Sequence, residues 1–178
     1  MVSISSVDPM LSKEIEQQEH RLYDKWVLWA HLPHDTDWSL RSYNKIVELH
    51  SVEKVISCMS SVPMQMVKNC MLFLMRKSIN PTWEDPKNVK GGCFSFKINN
   101  NDVYKTWTQL SYLLTGETLS NNHKLQKNIT GITISPKKSF CIIKIWLSTL
   151  EFQNPKELTL PQTMDISGCL FKKHKPVY

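Results

Sequence analysis

The sequence predicts an α+β fold in which helices pack on one face of a curved antiparallel β-sheet. Segments rich in branched and aromatic residues recur along the chain, and such segments are typical of strands. Only two segments show the apolar spacing of an amphipathic helix. Turn residues separate neighbouring strands, as in Asn99–Asn101 and Pro136–Ser139, and this arrangement favours antiparallel pairing.

The first half of the chain predicts three strands and one helix. Residues 25–32 combine aromatic and branched side chains and form the first strand, and residues 42–49 form a second with a weaker pattern. The Ser51 side chain can accept a hydrogen bond from the backbone that follows it, so it caps a helix over 52–61. The apolar run 71–75 is short enough for a buried strand.

The second half predicts one more helix between strands. Residues 93–98 alternate between apolar and polar and form a strand. Asp102 can cap a helix with an apolar stripe, and Gly116 is placed to end that helix. Residues 129–134 and 140–147 then form a hairpin, whose tip carries two lysines.

The composition is that of a globular protein with a basic surface. Apolar residues make up 41% of the 178 residues and charged residues 21%, which supports a packed core. We predict a flexible N-terminal arm over 1–19 and a single domain over 20–178, with a proline-containing tail from about residue 148. The net charge of +6 favours an anionic partner.

Several classes of function are disfavoured. The five cysteines show no Cys-x-x-Cys spacing and no Cys/His cluster, so we expect no metal, no cofactor and no disulfide framework. No apolar run has the length of a signal segment or a membrane span, so we expect a cytoplasmic or nuclear protein without membrane contact. Nucleophile motifs, glycine-rich phosphate loops and acidic metal clusters are absent, which argues against an enzyme.

Two tryptophans and a carboxylate are the strongest candidates for a binding site. Trp83 and Glu84 open a stretch too polar and too interrupted by proline and glycine for a core segment, and Trp38 follows another loop. Two facing indoles can hold a flat cationic ring, because the indole face is negative. A carboxylate at the edge can accept paired N–H bonds from guanine. Together these residues predict a pocket for an N7-methylated guanine.

The same residues belong to a series of motifs that resembles a known family. The motifs occur in the order and spacing typical of eukaryotic translation initiation factor 4E, the protein that binds the messenger RNA 5′ cap. The resemblance covers about seven tenths of the chain, from about His20 to Trp146, and the ends diverge from the family, as in a viral or protist member. The motifs are Trp26–Trp29, Thr36–Trp38, Pro81–Asp85, Lys90–Gly92, Trp107–Glu117 and Ile145–Trp146.

The resemblance implies a cap slot on the concave side of the sheet and helices on the convex side. It implies that Trp38 and Trp83 stack on the two faces of 7-methylguanine. Glu84 would accept the N1 and N2 hydrogens, the Trp83 backbone N–H would bond O6, and Trp146 would contact the N7-methyl group. The expected ligand is therefore the 7-methylguanosine end of capped mRNA.

The phosphate site implied by the resemblance is altered. Lys137 stands where the family has an arginine, and Ile142 stands where it has a second phosphate-binding lysine. Lys144 or Lys138 is expected to substitute for that lysine. Cys93 also replaces an arginine near the phosphates. Three lysines of the tail can reach the triphosphate or the second nucleotide: Lys172, Lys173 and Lys175.

The convex face of the family binds a helix of a scaffold or inhibitor protein. The residues expected there are His20, Leu22, Val52, Ile56 and Tyr112. Ile56 replaces the tryptophan that anchors this face in the family, so we expect an altered partner. Three interpretations remain open: a translation initiation factor, a cap-binding repressor or decoy that does not recruit the usual scaffold, and a non-specific single-stranded RNA-binding module.

Overall fold

A seven-stranded antiparallel sheet organises residues 19–174, the part of the chain that the computed structural model describes. The strands lie in the order β2-β1-β3-β5-β6-β4-β7, which confirms the predicted curved antiparallel sheet. The N-terminal arm predicted over 1–19 lies outside the described residues except for Glu19, and so does Lys175. The strands are β1 (Arg21–His31), β2 (Tyr43–Ser51), β3 (Met71–Arg76), β4 (Gly92–Asn99), β5 (Ile129–Pro136), β6 (Phe140–Leu147) and β7 (Leu170–Lys173).

Four α-helices cover the convex face of the sheet. They are α1 (Val52–Ser61), α2 (Met64–Asn69), α3 (Val103–Thr115) and α4 (His123–Asn128), with 3-10 turns at Leu40–Ser42 and Pro155–Glu157. Ser51 caps α1 as predicted, because its hydroxyl accepts the Lys54 N–H at 3.3 Å. The Asp102 side chain makes no capping bond, contrary to expectation. Its backbone is helical, and its carbonyl accepts the Thr106 hydroxyl at 2.8 Å.

Alternation along the strands sorts the side chains between two faces. The helix-facing residues form the main core, which includes Trp26 on β1, Phe94 and Phe96 on β4, and Trp107 on α3. Each of these four side chains is at most 1% exposed. A smaller apolar cluster lies on the opposite, concave face and contains Phe73, Met75, Ile79, Cys93 and Trp146. This concave cluster is the floor on which the candidate site is built.

The helix α3 ends at Gly116 as predicted, but the left-handed residue is the one that follows. Gly116 has a φ of −79°, whereas Glu117 has the positive φ of 56°. A left-handed conformation costs a residue other than glycine roughly 1–2 kcal/mol. Arg76 offsets this cost, since its guanidinium donates to both Glu117 carboxylate oxygens at 2.6 and 2.9 Å. The sequence motif did not show this partner because Arg76 is distant in the chain.

Three elements lie where the sequence predicted none. The helices α2 and α4 are each six residues long, too short to show a clear apolar period. The strand β7 belongs to the tail and is half lysine, so it lacks the apolar alternation of a strand. It pairs only with β4, at the sheet edge, where a polar strand is tolerated. The tail therefore returns to the sheet beside the concave cluster.

Candidate functional site

A slot of about 280 Å³ opens on the concave face, and three of the four predicted base-binding residues line it. Trp38 and Trp83 come from two loops, and Trp146 comes from β6. Three basic or imidazole side chains of the C-terminal segment complete the rim. The full lining is Trp38, Tyr43, Met71, Phe73, Pro81, Thr82, Trp83, Cys93, Lys144, Trp146, Lys172, Lys173 and His174.

Trp38 is exposed, yet it is held in place by a buried histidine. The Trp38 ring lies parallel to the His31 ring, with centroids 4.1 Å apart and an interplanar angle of 4°. His31 is 2% exposed, its Nε2 atom lies 2.9 Å from the Asp37 carbonyl oxygen, and its ring meets the edge of Tyr43. His31 was not predicted from the sequence. The alternation of β1 was the available signal, because it places Trp29 and His31 on the concave face.

Trp83 is carried by a loop whose backbone is tied down by Asp85 and Asn88. The Asp85 carboxylate accepts the backbone N–H of Asn80 and of Lys87, each at 2.9 Å. The Asn88 side-chain amide donates to the Thr82 carbonyl at 2.8 Å. Both side chains are buried, at 6% and 0% exposure, so the loop has a fixed shape although it contains little regular structure. Trp83 itself remains 36% exposed at the slot.

Glu84 follows Trp83 in the same loop, is not among the residues that line the slot, and is exposed to solvent. Within the described chain its carboxylate makes no hydrogen bond and no ion pair, so it is available to a ligand. The Glu84 carboxylate interacts electrostatically with Tyr43, which lines the slot. Burial and this negative charge together raise the pKa of the Tyr43 hydroxyl. The Trp83 backbone N–H donates no hydrogen bond to any other described backbone group.

The floor of the slot is formed by Trp146, which is 7% exposed. Its indole N–H donates to the Thr133 hydroxyl at 3.1 Å, which fixes the ring orientation. The His174 ring lies against the indole, with centroids 4.5 Å apart. Burial is the main reason that the pKa of His174 is lowered to about 4, so this imidazole is neutral near pH 7. His174 also carried no sequence signal.

Only one of the three predicted phosphate-binding lysines lines the slot. Lys144 does, and it lies on the same face as Trp146, as strand alternation predicted. Lys137 and Lys138 are exposed at the tip of the β5–β6 hairpin, away from the slot lining. Lys172 and Lys173 also line the slot, because β7 runs beside β4 and places Lys172 directly opposite Cys93.

Cys93 lies between Lys144 and Lys172 and contributes no positive charge of its own. Burial raises the pKa of its thiol, while Lys144 and Lys172 act in the opposite direction. The sulfur lies 3.8 Å from the Ser95 hydroxyl. The positive charge at this end of the slot is therefore supplied by the two lysines that flank the thiol.

A second, apolar groove of about 350 Å³ lies on the convex side, at α1 and α3. Four of the five predicted partner-binding residues line it: Leu22, Val52, Ile56 and Tyr112. Val52, Ile56 and Tyr112 are 41%, 51% and 39% exposed, which is unusual for apolar side chains of this size. His20 lies beside the groove, where its Nδ1 atom contacts the Glu53 carboxylate at 2.6 Å and its carbonyl accepts the Val52 N–H.

Residues 19–174 hold neither a cluster of metal ligands nor a membrane-spanning helix. No group of three or more His, Cys, Asp or Glu side chains there is arranged to hold a metal ion. None of the helices in the same range combines the length and apolar character needed to cross a bilayer.

Comparison with known proteins agrees with the fold and with the motif series. The family model described as eukaryotic initiation factor 4E matches residues 21–174. A 4E homolog of Acanthamoeba polyphaga mimivirus is 42% identical over 63 residues, which cover 35% of this chain and 23% of that protein. Initiation factor 4E-2 of Schizosaccharomyces pombe is 29% identical over 136 residues, which cover 71% of this chain and 53% of that protein. The chain thus spans about half the length of that yeast relative.

Solved structures of similar fold include complexes of two animal proteins. A schistosome eIF4E in complex with m7GpppG and 4E-BP has a TM-score of 0.70 at 22% identity, and 78% of each chain is covered. Caenorhabditis elegans eIF4E-3 with the 4E-binding protein Mextli and a cap analogue has a TM-score of 0.73 at 18% identity, covering 88% of this chain and 94% of that one. With the family model spanning nearly all described residues, the chain belongs to the eukaryotic initiation factor 4E family.

Proposed function

We propose that this protein binds the 7-methylguanosine 5′ cap of mRNA in the concave slot and acts in translation initiation. The observation that carries the proposal is the convergence of Trp38 and Trp83, distant in sequence, on one slot with Trp146 at its floor. Glu84 is next to Trp83 in the chain, and its exposed carboxylate has no hydrogen-bond or ion-pair partner within residues 19–174. The fold relatives solved with m7GpppG and with a cap analogue support the same ligand class.

The chemistry of the slot favours a methylated base over an unmethylated one. Stacking on an aromatic side chain contributes roughly 1–3 kcal/mol per base, whether or not the base is charged. Methylation at N7 makes the guanine cationic, and a cation over an indole adds roughly 0.5–2 kcal/mol. The positive charge also strengthens hydrogen bonds from N1 and N2 to the Glu84 carboxylate. GTP gains only the first of these contributions.

The phosphates are proposed to contact Lys144, Lys172 and Lys173. These side chains line the end of the slot where Cys93 stands in place of the arginine of the family. Lys172 is the cross-strand neighbour of Cys93, so β7 returns a positive charge to that place. A lysine binds phosphate as a point charge and lacks the bidentate geometry of arginine. We therefore expect a cap affinity that depends strongly on salt.

Isothermal titration calorimetry with 7-methyl-GTP and GTP tests the proposal. The heat of binding can be measured equally well in variants that lack a tryptophan. The wild type is expected to prefer 7-methyl-GTP by about tenfold or more. Trp83→Ala and Glu84→Gln should each abolish most of that preference. Glu151→Gln is the matched control, since it removes an exposed carboxylate elsewhere. Equal, salt-sensitive affinity for both nucleotides would favour a non-specific single-stranded RNA-binding module instead.

A cap-binding repressor or decoy is the second candidate function, and the convex groove favours it. Isoleucine at position 56 presents less contact area than the tryptophan of the family, and aromatic anchors supply much of the energy of an interface. The groove is nevertheless apolar and exposed, which suits a helix from a dedicated partner. The helices that bind this face in the family carry a Tyr-x-x-x-x-Leu-apolar motif, and a labelled helix with this motif separates the two candidate functions. Binding that is lost in Ile56→Asp indicates recruitment, whereas absence of binding alongside normal 7-methyl-GTP affinity indicates a repressor.

A further inference from the structure

The concave face continues beyond the slot along β4 and β6. On β6, Trp146, Lys144, Ile142 and Phe140 alternate onto the same face, with Trp146 at the slot and Phe140 at the hairpin tip. The opposite face of β6 is buried against the helices. On β4 the cross-strand partners continue this row, since Ser95 pairs with Lys144, Lys97 with Ile142 and Asn99 with Phe140.

A second cleft lies at the far end of this row, about 20 Å from Trp146 and about 13 Å from Lys144 at about 3.3 Å per strand residue. It measures about 310 Å³ and is lined by Lys97, Asn99, Ser139 and Phe140. The Lys97 ammonium lies 4.5 Å from the centroid of the Phe140 ring. Phe140 and Lys97 do not line the slot, so the proposed binding of the cap base and triphosphate gives them no role. The same sheet face nevertheless connects them to the slot.

The charge of this face is of one sign. The strands β4, β5, β6 and β7 and the hairpin tip contain no Asp and no Glu. Their lysines accordingly make no ion pair within the described chain. A polyanion can follow such a face without meeting a carboxylate. The lysines of the face are Lys97, Lys137, Lys138, Lys144, Lys172 and Lys173.

We propose that the RNA chain following the cap runs along this face, with one base stacked on Phe140 and its phosphates beside Lys97 and the hairpin lysines. This inference rests on the proposed cap-binding function and extends it from the cap to the nucleotides that follow. A base that stacks on Phe140 displaces the Lys97 ammonium from the ring toward the adjacent phosphate. The cation–π contact is thereby exchanged for an ion pair and a base stack.

The geometry defines the RNA length at which this contact begins. Lys144, at the proposed phosphate end of the slot, is about 13 Å from Phe140, which corresponds to about four nucleotides at about 3.4 Å per stacked nucleotide. A capped dinucleotide, in which the triphosphate joins 7-methylguanosine to one nucleotide, is therefore too short to reach Phe140. An unstructured capped oligouridine of about eight nucleotides is long enough. The gain in affinity between these two probes measures the proposed contact directly.

Titration of 7-methyl-GTP, a capped dinucleotide and the capped oligouridine against four variants tests the proposal. The wild type is expected to bind the oligouridine about fivefold to fiftyfold more tightly than the dinucleotide. Phe140→Ala should lose most of this gain, and Phe140→Tyr should retain it. Lys97→Ala should reduce the slope of log K against log salt by about 0.7 for the oligouridine. Lys105→Ala, an exposed lysine on α3, is the charge-matched control.

The outcomes separate failure of the inference from failure of the proposed function. All variants should bind 7-methyl-GTP with wild-type affinity, which also shows that Phe140→Ala is folded. Normal 7-methyl-GTP binding with no gain from the longer RNA, or with a gain that Phe140→Ala retains, would overturn the inference alone. If the wild type does not prefer 7-methyl-GTP to GTP, the cap-binding proposal fails and the inference fails with it.

Discussion

Replacing His31 tests whether the Trp38 wall of the slot is organised before the ligand arrives. His31 is expected to contact no ligand, because its ring lies beneath Trp38 and is 2% exposed. His31→Ala removes the stacking surface and the contact with the Asp37 carbonyl. Trp38 is 57% exposed and has little else to restrain it, so its indole should become free to leave the stacked position.

The magnitude is that of one restraint on Trp38, and two comparisons give similar values for it. A stacked aromatic pair is worth about 0.5–1.5 kcal/mol beyond the area it buries. Immobilising a mobile side chain on binding costs about the same amount, and in the variant the ligand must supply it. We therefore expect 7-methyl-GTP affinity to fall about twofold to tenfold. The cost to folding is larger, about 2–3 kcal/mol, because a buried ring is lost.

Calorimetry at a temperature where each variant is folded measures the affinity, and thermal unfolding measures the stability. His31→Phe is the matched variant, since it keeps a ring under Trp38 and lacks only the contact with Asp37. It should retain most of the cap affinity that His31→Ala loses. A folded His31→Ala with wild-type affinity for 7-methyl-GTP would refute the reasoning, because Trp38 would then need no support.

Three further predictions concern the elements around the slot. Gly91→Ala should destabilise the fold by several kcal/mol in urea titrations, because the new Cβ would lie 1.8 Å from the Leu147 carbonyl oxygen. Gly168→Ala is the control and should be neutral, since a Cβ at that position has no neighbouring atom within 4 Å. Asp85→Ala should lower 7-methyl-GTP affinity at least fivefold by releasing the Trp83 loop; unchanged calorimetric affinity would contradict this. The lowered pKa of His174 predicts that its contribution to the free energy of unfolding is fully present above about pH 6.5 and falls by about 2 kcal/mol as the pH drops toward about 4. His174→Phe should remove this pH dependence from acid unfolding curves.

The fold was predictable because each major element carries a local signal. The apolar alternation of β6 and the stripe of α3 can be detected without tertiary information, and both elements are present. The short elements could not be predicted, since α2, α4 and β7 owe their conformation to contacts with the sheet. The left-handed residue after α3 also depends on tertiary structure. Glu117 adopts it because Arg76, on a distant strand, binds its carboxylate.

The candidate site was predictable where chemistry shows in the residue type. Trp38, Trp83 and Trp146 lie at one slot, and they were identified because loop tryptophans and the motif series mark them. His31 and His174 were missed, because their roles come from contacts with other rings. The alternation of β1 could have placed His31 on the concave face, but its stacking on Trp38 and the tilted contact of His174 with Trp146 depend on tertiary structure.

The alternation of side chains along β4 and β6 explains how residues at the proposed phosphate end of the slot can be substituted while the fold is retained. Helix-facing positions of β4 and β6 are almost fully buried, so a substitution there alters the packing of the main core. Concave positions carry little of that packing, and a lysine is accommodated equally well on β6 or on β7. Loss of an arginine at Cys93 can therefore be compensated by Lys172 on the next strand, because cross-strand neighbours present their side chains to the same ligand. The phosphate binding that we propose for this face therefore depends on where charge is located, whichever strand supplies it.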